Sequence, residues 1–197
     1  GNRGWSYEDA LPFFRKAQNR QKGANEFHGI GGPLSVSPPR SPNPLNDTFI
    51  QAGVECQIPR NDDFNGATQE GIGFYELTQD NGRRCSTAHA YLTPAKNREN
   101  LTIFKRSIAE KVMIENGRAI AVRAKIDGRA QIIRANKEVI LSCGAFQSPQ
   151  LLLLSGIGPK SKLEEHKIDQ VLELPGVGEN LTDHLDYSLI YESDSEY

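Results

Sequence analysis

The chain has 197 residues, of which 37% are hydrophobic and 24% charged, values typical of a globular protein with a buried core. Its net charge of -2 gives no reason to expect nucleic acid or an anionic membrane surface as a partner. No apolar run reaches the roughly 20 residues of a membrane-spanning helix. The three cysteines are widely spaced, which argues against a disulfide framework and favours a reducing cytoplasm, with peripheral attachment to the inner membrane left open.

The first part of the chain predicts helices joined by long loops. Ser6 and Asp9 have the spacing of a capping box, so a helix should begin there and end among the basic residues of 15–22. Residues 29–44 are rich in glycine, proline and serine and predict a loop or a short edge strand. A second helix is expected at 45–54, capped near Asn46 or Asp47.

Residues 64–95 predict a loop and strand region. Four apolar residues suit a strand that ends before the turn signal Asn81-Gly82: Ile72, Phe74, Tyr75 and Leu77. Ser86 can cap a short helix over 88–92. His89 is expected at the surface rather than as a base, and Arg83 and Arg84 are expected to be solvated.

Residues 100–142 predict an antiparallel meander. Its strands are expected at 101–104, 112–114, 119–126 and 131–134, with turns at Asn116-Gly117 and Asp127-Gly128. The meander leads into the sequence EVILSCGAFQSPQLLLLSGIG of residues 138–158. Here we expect a strand at 139–141, a turn of small residues at 143–145, and a buried helix capped by Ser148, opened by Pro149 and ended by Gly156.

The small-residue turn after this strand has two readings. A strand-to-helix corner is most often structural. In α/β folds, however, ligands bind at the carboxyl ends of strands, where small residues allow close approach.

After residue 158, a short helix is expected at 160–166 and a strand at 171–174. Asp183, His184 and Asp186 are weak candidates for a metal or charge relay, and a structural role is favoured, so no metal site is predicted.

Residues 144–158, GAFQSPQLLLLSGIG, resemble the second sequence signature of the glucose–methanol–choline (GMC) flavoprotein oxidoreductases. The stretches GNRGWSYEDALPFFRKAQN and LPGVGENLTDHLDY also look like segments of that family, and residues 64–95 resemble its bacterial alcohol and choline dehydrogenases. The resemblance runs essentially from end to end. It is to the middle portion of the enzyme, and since the chain opens at Gly1 without an initiator methionine, we expect an excised piece of a longer protein.

The resemblance implies a mixed α/β (α+β) fold: part of a Rossmann-like FAD-binding domain with an antiparallel β-meander, plus part of a substrate domain. Residues 1–95 would belong mainly to the substrate domain and linking segments, 96–185 to the FAD-binding domain, and 186–197 to the start of the next substrate-domain strand. The resemblance implies that Ile108 and Ala109 meet the adenine side of FAD, Ala109 through its backbone. Cys143, Gly144 and Ala145 match the small turn near the cofactor, and Cys143 is expected to pack as a small buried hydrophobe.

The activity that the resemblance implies is oxidation of an alcohol, choline or another primary alcohol, to the aldehyde by hydride transfer to FAD. The partners would be the alcohol and an electron acceptor, either oxygen or a quinone. Phe74, Tyr75 and Glu76 could face a cationic substrate but serve equally well as a strand.

Two parts of the family's machinery are missing from this sequence. It has no Gly-x-Gly-x-x-Gly turn for the pyrophosphate, and none of its four histidines lies in the family's catalytic motif, so no catalytic residue is assigned. We therefore expect this chain alone to hold FAD weakly or not at all, to be inactive, and to self-associate through uncovered apolar surface. The alternative is a non-catalytic binding or interaction module with a GMC-like core.

Overall fold

The structure, a computed structural model, describes residues 3–190 and 192. The chain divides into two compact units, Gly1–Thr102 and Ile103–Tyr197. Across the described residues, no helix combines the length and the apolar character that crossing a membrane requires.

The first unit combines helices, short strands and irregular loops. Its elements in chain order are α1 (Tyr7–Ala17), β1 (Gln18–Arg20), β2 (Leu34–Val36), α2 (Pro44–Glu55), β3 (Gln79–Asp80), β4 (Arg83–Arg84), a π-helical turn (Ala88–Leu92) and the helical turn α3 (Thr93–Ala95). β1 pairs with β2 in parallel, and β3 pairs with β4 in antiparallel fashion around Asn81-Gly82.

Local sequence signals explain most of these boundaries. The predicted capping box is confirmed, since the Ser6 hydroxyl accepts from the N–H of Asp9 while a carboxylate oxygen of Asp9 accepts from the N–H of Ser6. The second helix is also confirmed. Its cap is Asn43 rather than Asn46 or Asp47, because Pro44 occupies the first helical position and leaves the preceding residue free to cap.

The strand predicted from Ile72 to Leu77 is wrong. The backbone makes only two isolated bridges there, Arg60 with Ile72 and Ser37 with Leu77. Alternating apolar residues suit a strand, but a strand forms only where a neighbouring segment stays in register with it. The Asn81-Gly82 turn is confirmed, with positive φ at both residues.

The second unit is built on a meander of three antiparallel strands, β5 (Ser107–Glu115), β6 (Arg118–Ile126) and β7 (Arg129–Arg134). Two-residue turns of Asn-Gly and Asp-Gly join them, as predicted, with positive φ at all four residues. The remaining elements are α4 (Gly144–Leu154), β8 (Ile157–Gly158), α5 (Lys160–Glu165) and β9 (Leu172–Glu173), with β8 and β9 paired in parallel.

Two predicted strands of this part of the chain are absent. Residues 101–104 and 139–141 form no strand, and Ile140 is 77% exposed. No segment among residues 3–190 and 192 pairs with either of them, and a β-branched run without a partner does not become a strand. Residues 186–190 also form no strand, while 191 and 193–197 lie outside the described residues.

Helix α4 begins five residues earlier than predicted, at Gly144 rather than at Pro149. Pro149 lies inside this helix, where its ring nitrogen has no hydrogen to donate to the preceding turn. Ser148, predicted as the cap, instead accepts the N–H of Cys143 through its Oγ at 2.9 Å. The expectation that the helix is buried all round is wrong. Leu151 is buried, but Leu154 is 43% exposed. The predicted stop at Gly156 is confirmed by its positive φ.

Candidate functional site

The five residues predicted to meet the cofactor lie on two elements of the second unit. Ile108 and Ala109 lie in the first half of β5, where they pair with Lys125 and Ala124 of β6. Cys143 immediately precedes α4, and Gly144 and Ala145 form its first residues. All five are exposed, so their surfaces are accessible to a ligand.

The start of α4 has the local geometry expected of a close-approach site. Gly144 has φ +89°, and a Cβ added there would meet no heavy atom within 4 Å. The side chain of Cys143 caps none of the first-turn N–H groups. Cys143 itself is exposed, which corrects the expectation that it packs as a buried hydrophobe. The reason is that the strand predicted to precede it does not form, so no sheet covers it.

These residues fit part of a dinucleotide. They are uncharged and exposed, which suits an adenosine, and the open space at Gly144 allows a ligand to approach the backbone. They supply no cradle for the two phosphates, because the sequence contains no Gly-x-Gly-x-x-Gly turn. Contacts of these residues with the adenosine side of FAD stay a prediction.

The first unit contains an open cavity of about 890 Å³. Helix α1 contributes Tyr7, Leu11 and Phe14 to its wall, and β2 contributes Leu34 and Val36. The rest of the wall includes His28 and the loop residues Asn65, Gly66, Ala67 and Gln69. An apolar wall with a few polar groups is typical of a small-molecule pocket.

Beside this cavity lies a cluster of titratable residues, which we call the Arg20 cluster: Arg20, His28, Asp63 and Glu76. Arg20 donates from Nε to Glu76 at 2.7 Å and from a terminal guanidinium nitrogen to Asp63 at 3.2 Å. Nε2 of His28 lies 2.8 Å from the Asp63 carboxylate. The side chains of Arg20 and Glu76 are each 7% exposed, so this ion pair is poorly screened by solvent, whereas the side chain of Asp63 is 26% exposed.

Sequence reasoning did not find this cluster, because its members are separated by up to 56 positions and belong to no local motif. It also considered Glu76 as a carboxylate for a cationic substrate. The structure instead pairs Glu76 with Arg20 and with Lys22, whose Nζ lies 3.6 Å from the second carboxylate oxygen. Its neighbour Tyr75 is 67% exposed and contacts Phe64 at a ring-centroid distance of 4.9 Å.

The other predicted polar candidates are at the surface. The side chain of His89 is 53% exposed and lies 3.5 Å from Asp80, as expected for a surface histidine. Arg83 and Arg84 are exposed, and His184 lies in a segment without regular structure. Among residues 3–190 and 192, no three His, Cys, Asp or Glu side chains are grouped to hold a metal ion.

Comparison with known proteins identifies relatives over nearly the whole chain. The oxygen-dependent choline dehydrogenase of Pectobacterium atrosepticum is 47% identical over 95% of this chain and 34% of its own length. That of Pseudomonas fluorescens is 48% identical over 97% of this chain and 34% of its own length. The chain therefore spans about a third of the length of these relatives.

Solved structures give the same assignment of the fold. Pyridoxine 4-oxidase from Mesorbium loti has a TM-score of 0.81 and 31% identity, covering 89% of this chain and 35% of that protein. A formate oxidase from Aspergillus oryzae has a TM-score of 0.82 and 26% identity over 93% of this chain and 33% of that one. The expected mixed α/β class is confirmed. The family model described as GMC oxidoreductase matches residues 1–186, and the chain belongs to the GMC oxidoreductase family.

Proposed function

We propose that this chain supplies the adenosine side of the FAD site in a GMC oxidoreductase that oxidises an alcohol, choline or another primary alcohol, to the aldehyde. The observation that carries the proposal is the family match over residues 1–186. The choline dehydrogenases at 47% and 48% identity support choline as the first substrate to test. A relative from Chaetomium thermophilum is described as FAD-dependent, in agreement with the expected cofactor.

The residues of this chain would bind the cofactor rather than carry out the redox step. Bound FAD would accept the hydride of the alcohol. Ile108 and Ala109 on β5 would contact the adenosine, and Cys143, Gly144 and Ala145 would let it approach the start of α4 closely. We assign residues 1–95 mainly to the substrate domain and linking segments, 96–185 to the FAD-binding domain and 186–197 to the start of the next substrate-domain strand. The division of the chain into two compact units after Thr102 supports the first of these boundaries.

We assign no catalytic base to this chain. Both ring nitrogens of His28 are engaged by Gln18 and Asp63, so the ring has no free nitrogen to accept a proton from an alcohol. His89 is an exposed side chain beside Asp80. We therefore expect the isolated chain to bind FAD weakly or not at all and to oxidise no alcohol.

The first experiment uses the polypeptide that carries this sequence in its source organism. Its visible absorption spectrum reports bound flavin, and reduction of an artificial electron acceptor on addition of choline reports activity. Flavin together with choline oxidation supports the proposal. If flavin is bound but a different alcohol is oxidised, choline is not the substrate. If no flavin is bound, the proposal is overturned in favour of a non-catalytic module.

A matched pair of variants of the same polypeptide tests the site residues. Ala145→Leu adds bulk at the start of α4 and should lower the flavin content severalfold. Ala130→Leu makes the same change at an exposed position of β7 and should leave the flavin content unchanged. Equal flavin content in the two variants contradicts the placement of FAD at α4. Tight, stoichiometric binding of FAD to the 197-residue chain alone would contradict our inference that this chain lacks a binding segment for the pyrophosphate.

A further inference from the structure

One side of helix α1 carries aromatic side chains that the described chain leaves uncovered. Trp5 is 80% exposed, Phe13 and Phe14 are each 71% exposed, and no residue of the helix is buried. An open groove of about 540 Å³ on this side is lined by six uncharged residues: Gly4, Trp5, Ala10, Phe13, Phe14 and Ala17. We call this surface the α1 groove. Its two alanines leave room between the aromatic rings for a large side chain from another molecule.

The sequence of α1 does not by itself account for a stable helix. The helix has 11 residues, and isolated helices shorter than about 12–15 residues are marginal in water. Pro12 lies inside it and donates no hydrogen bond to the preceding turn. In proteins, burial of an apolar face supplies most of the stability of such a helix. A partner packed on the α1 groove would supply that burial.

Charges of opposite sign lie at the two ends of α1. Glu8 and Asp9 are in its first turn, and Arg15 and Lys16 are in its last turn. Asp9 and Lys16 are seven positions apart, so at about 3.6 residues per turn they lie on the same side of the helix, next to Phe13. Glu8 and Arg15 are also seven positions apart, but they lie on the side away from the α1 groove. One acidic and one basic residue therefore border the groove at opposite ends.

A second copy of the chain complements these features when its helix runs antiparallel. A two-fold axis near the middle of α1 brings the first turn of one helix against the last turn of the other, so Asp9 of each copy faces Lys16 of the other. A parallel arrangement would instead bring like charges together. Among residues 3–190 and 192, Lys16 forms no ion pair. Oδ2 of Asp9 accepts from the N–H and the hydroxyl of Ser6, which leaves Oδ1 for the second copy.

We propose that two copies of this chain form a weak, two-fold symmetric dimer in which their α1 grooves pack together with the helices antiparallel. A buried aromatic side chain covers about 150–250 Å². Trp5, Phe13 and Phe14 of both copies together can therefore remove at most about 1,000 Å² from water. That area is at the lower limit for a specific interface, so the dissociation constant should lie in the micromolar range.

Sedimentation velocity tests the dimer on the polypeptide that carries this sequence in its source organism. Between about 1 µM and about 100 µM, we expect a reversible shift from monomer towards dimer. A monomer at every concentration overturns the proposal. A series of larger species without a dimer also overturns it, because a two-fold interface closes on itself. The dimer does not depend on bound flavin, so this result is independent of the proposed activity.

A matched pair of variants tests the apolar contact. Phe13→Glu places a carboxylate in the α1 groove and should raise the dissociation constant by about a hundredfold or more. Phe49→Glu makes the same change at a 62% exposed position of α2 and should leave the dissociation constant unchanged. Circular dichroism establishes that both variants are folded. Equal dissociation constants overturn the proposal. Unfolding by Phe13→Glu of a monomeric polypeptide overturns it too, because the groove is then covered within one polypeptide.

A second pair of variants tests the antiparallel arrangement. Lys16→Glu turns two attractive contacts into repulsive ones and should raise the dissociation constant by about tenfold. Arg15→Glu makes the same change in the same turn but away from the groove, and should change the dissociation constant by less than about twofold. A mixture of Lys16→Glu with Asp9→Lys restores opposite charges at both contacts and should form dimers that neither variant forms alone. Equal effects of Lys16→Glu and Arg15→Glu overturn the arrangement.

Discussion

The hydroxyl of Ser155 accepts the backbone N–H of Val112 at 2.8 Å and donates to the carbonyl oxygen of Leu151. Ser155 is fully buried and Val112 is 5% exposed. β5 is an edge strand of the meander, and Val112 directs its N–H away from β6. One side chain at the end of α4 therefore satisfies an edge donor that would otherwise be buried without a partner.

Replacing Ser155 by Ala should destabilise the second unit. The Val112 N–H would lose its acceptor in a buried site, which costs about 1–3 kcal/mol of unfolding free energy. Urea unfolding followed by circular dichroism measures the change. Ser107→Ala, at an exposed hydroxyl that donates to the Lys105 carbonyl, should stay within about 0.5 kcal/mol. Equal effects of the two changes would contradict the role given to Ser155.

Replacing Gly156 by Ala should be more damaging than the same change at Gly128. Both residues have left-handed backbone, φ +83° and +81°, which costs a side chain about 1–2 kcal/mol. At Gly156 the new methyl group would also clash with the carbonyl oxygen of Asp169 and lie 2.9 Å from Cγ2 of Val171. At Gly128 it would meet nothing within 4 Å. Thermal unfolding of the two variants compares the costs, and a smaller loss at Gly156 would refute the clash.

The stability of the first turn of α1 depends on the ionised carboxylate of Glu8. A hydrogen bond to its own backbone N–H, and secondarily one with Ser6, lowers the pKa of the Glu8 carboxyl group. A lowered pKa in the folded chain stabilises the first turn above the ordinary glutamate pKa, and this contribution is lost as the pH falls through the folded value. NMR titration of the carboxyl carbon measures the pKa. Glu8→Gln should weaken the start of α1 at neutral pH and make no difference in acid.

Several short-range signals in the sequence predicted local features correctly, although the starts of α2 and α4 differ from the prediction. The capping box of Ser6 and Asp9 and the Asn-Gly and Asp-Gly turns of the meander each involve residues within a few positions of one another, and all were confirmed. The stop at Gly156 belongs to the same class. A helix cap or a turn with positive φ is favoured by only a few residue types, so these features can be predicted from the local sequence.

Predictions that depended on distant partners were less successful. Ile140 lies in a run that suits a strand, yet no segment of the described chain pairs with it. The apolar pattern of a segment shows that it can form a strand, but it forms one only where a neighbouring segment pairs with it. The Arg20 cluster was missed for a related reason, since its four titratable residues are far apart in the sequence and follow no spacing rule. The contacts of Ile108 and Ala109 with the cofactor stay a prediction.

The hairpin turns of the meander have a consequence for the order in which the chain folds. Every strand pair in β5–β6–β7 joins neighbours in the sequence, so closing each pair costs little chain entropy. The ion pairs of Arg20 with Asp63 and Glu76 instead close loops of 43 and 56 residues. We expect the meander to form early and the wall of the cavity to be completed late, so slow steps in refolding should be those that assemble the first unit.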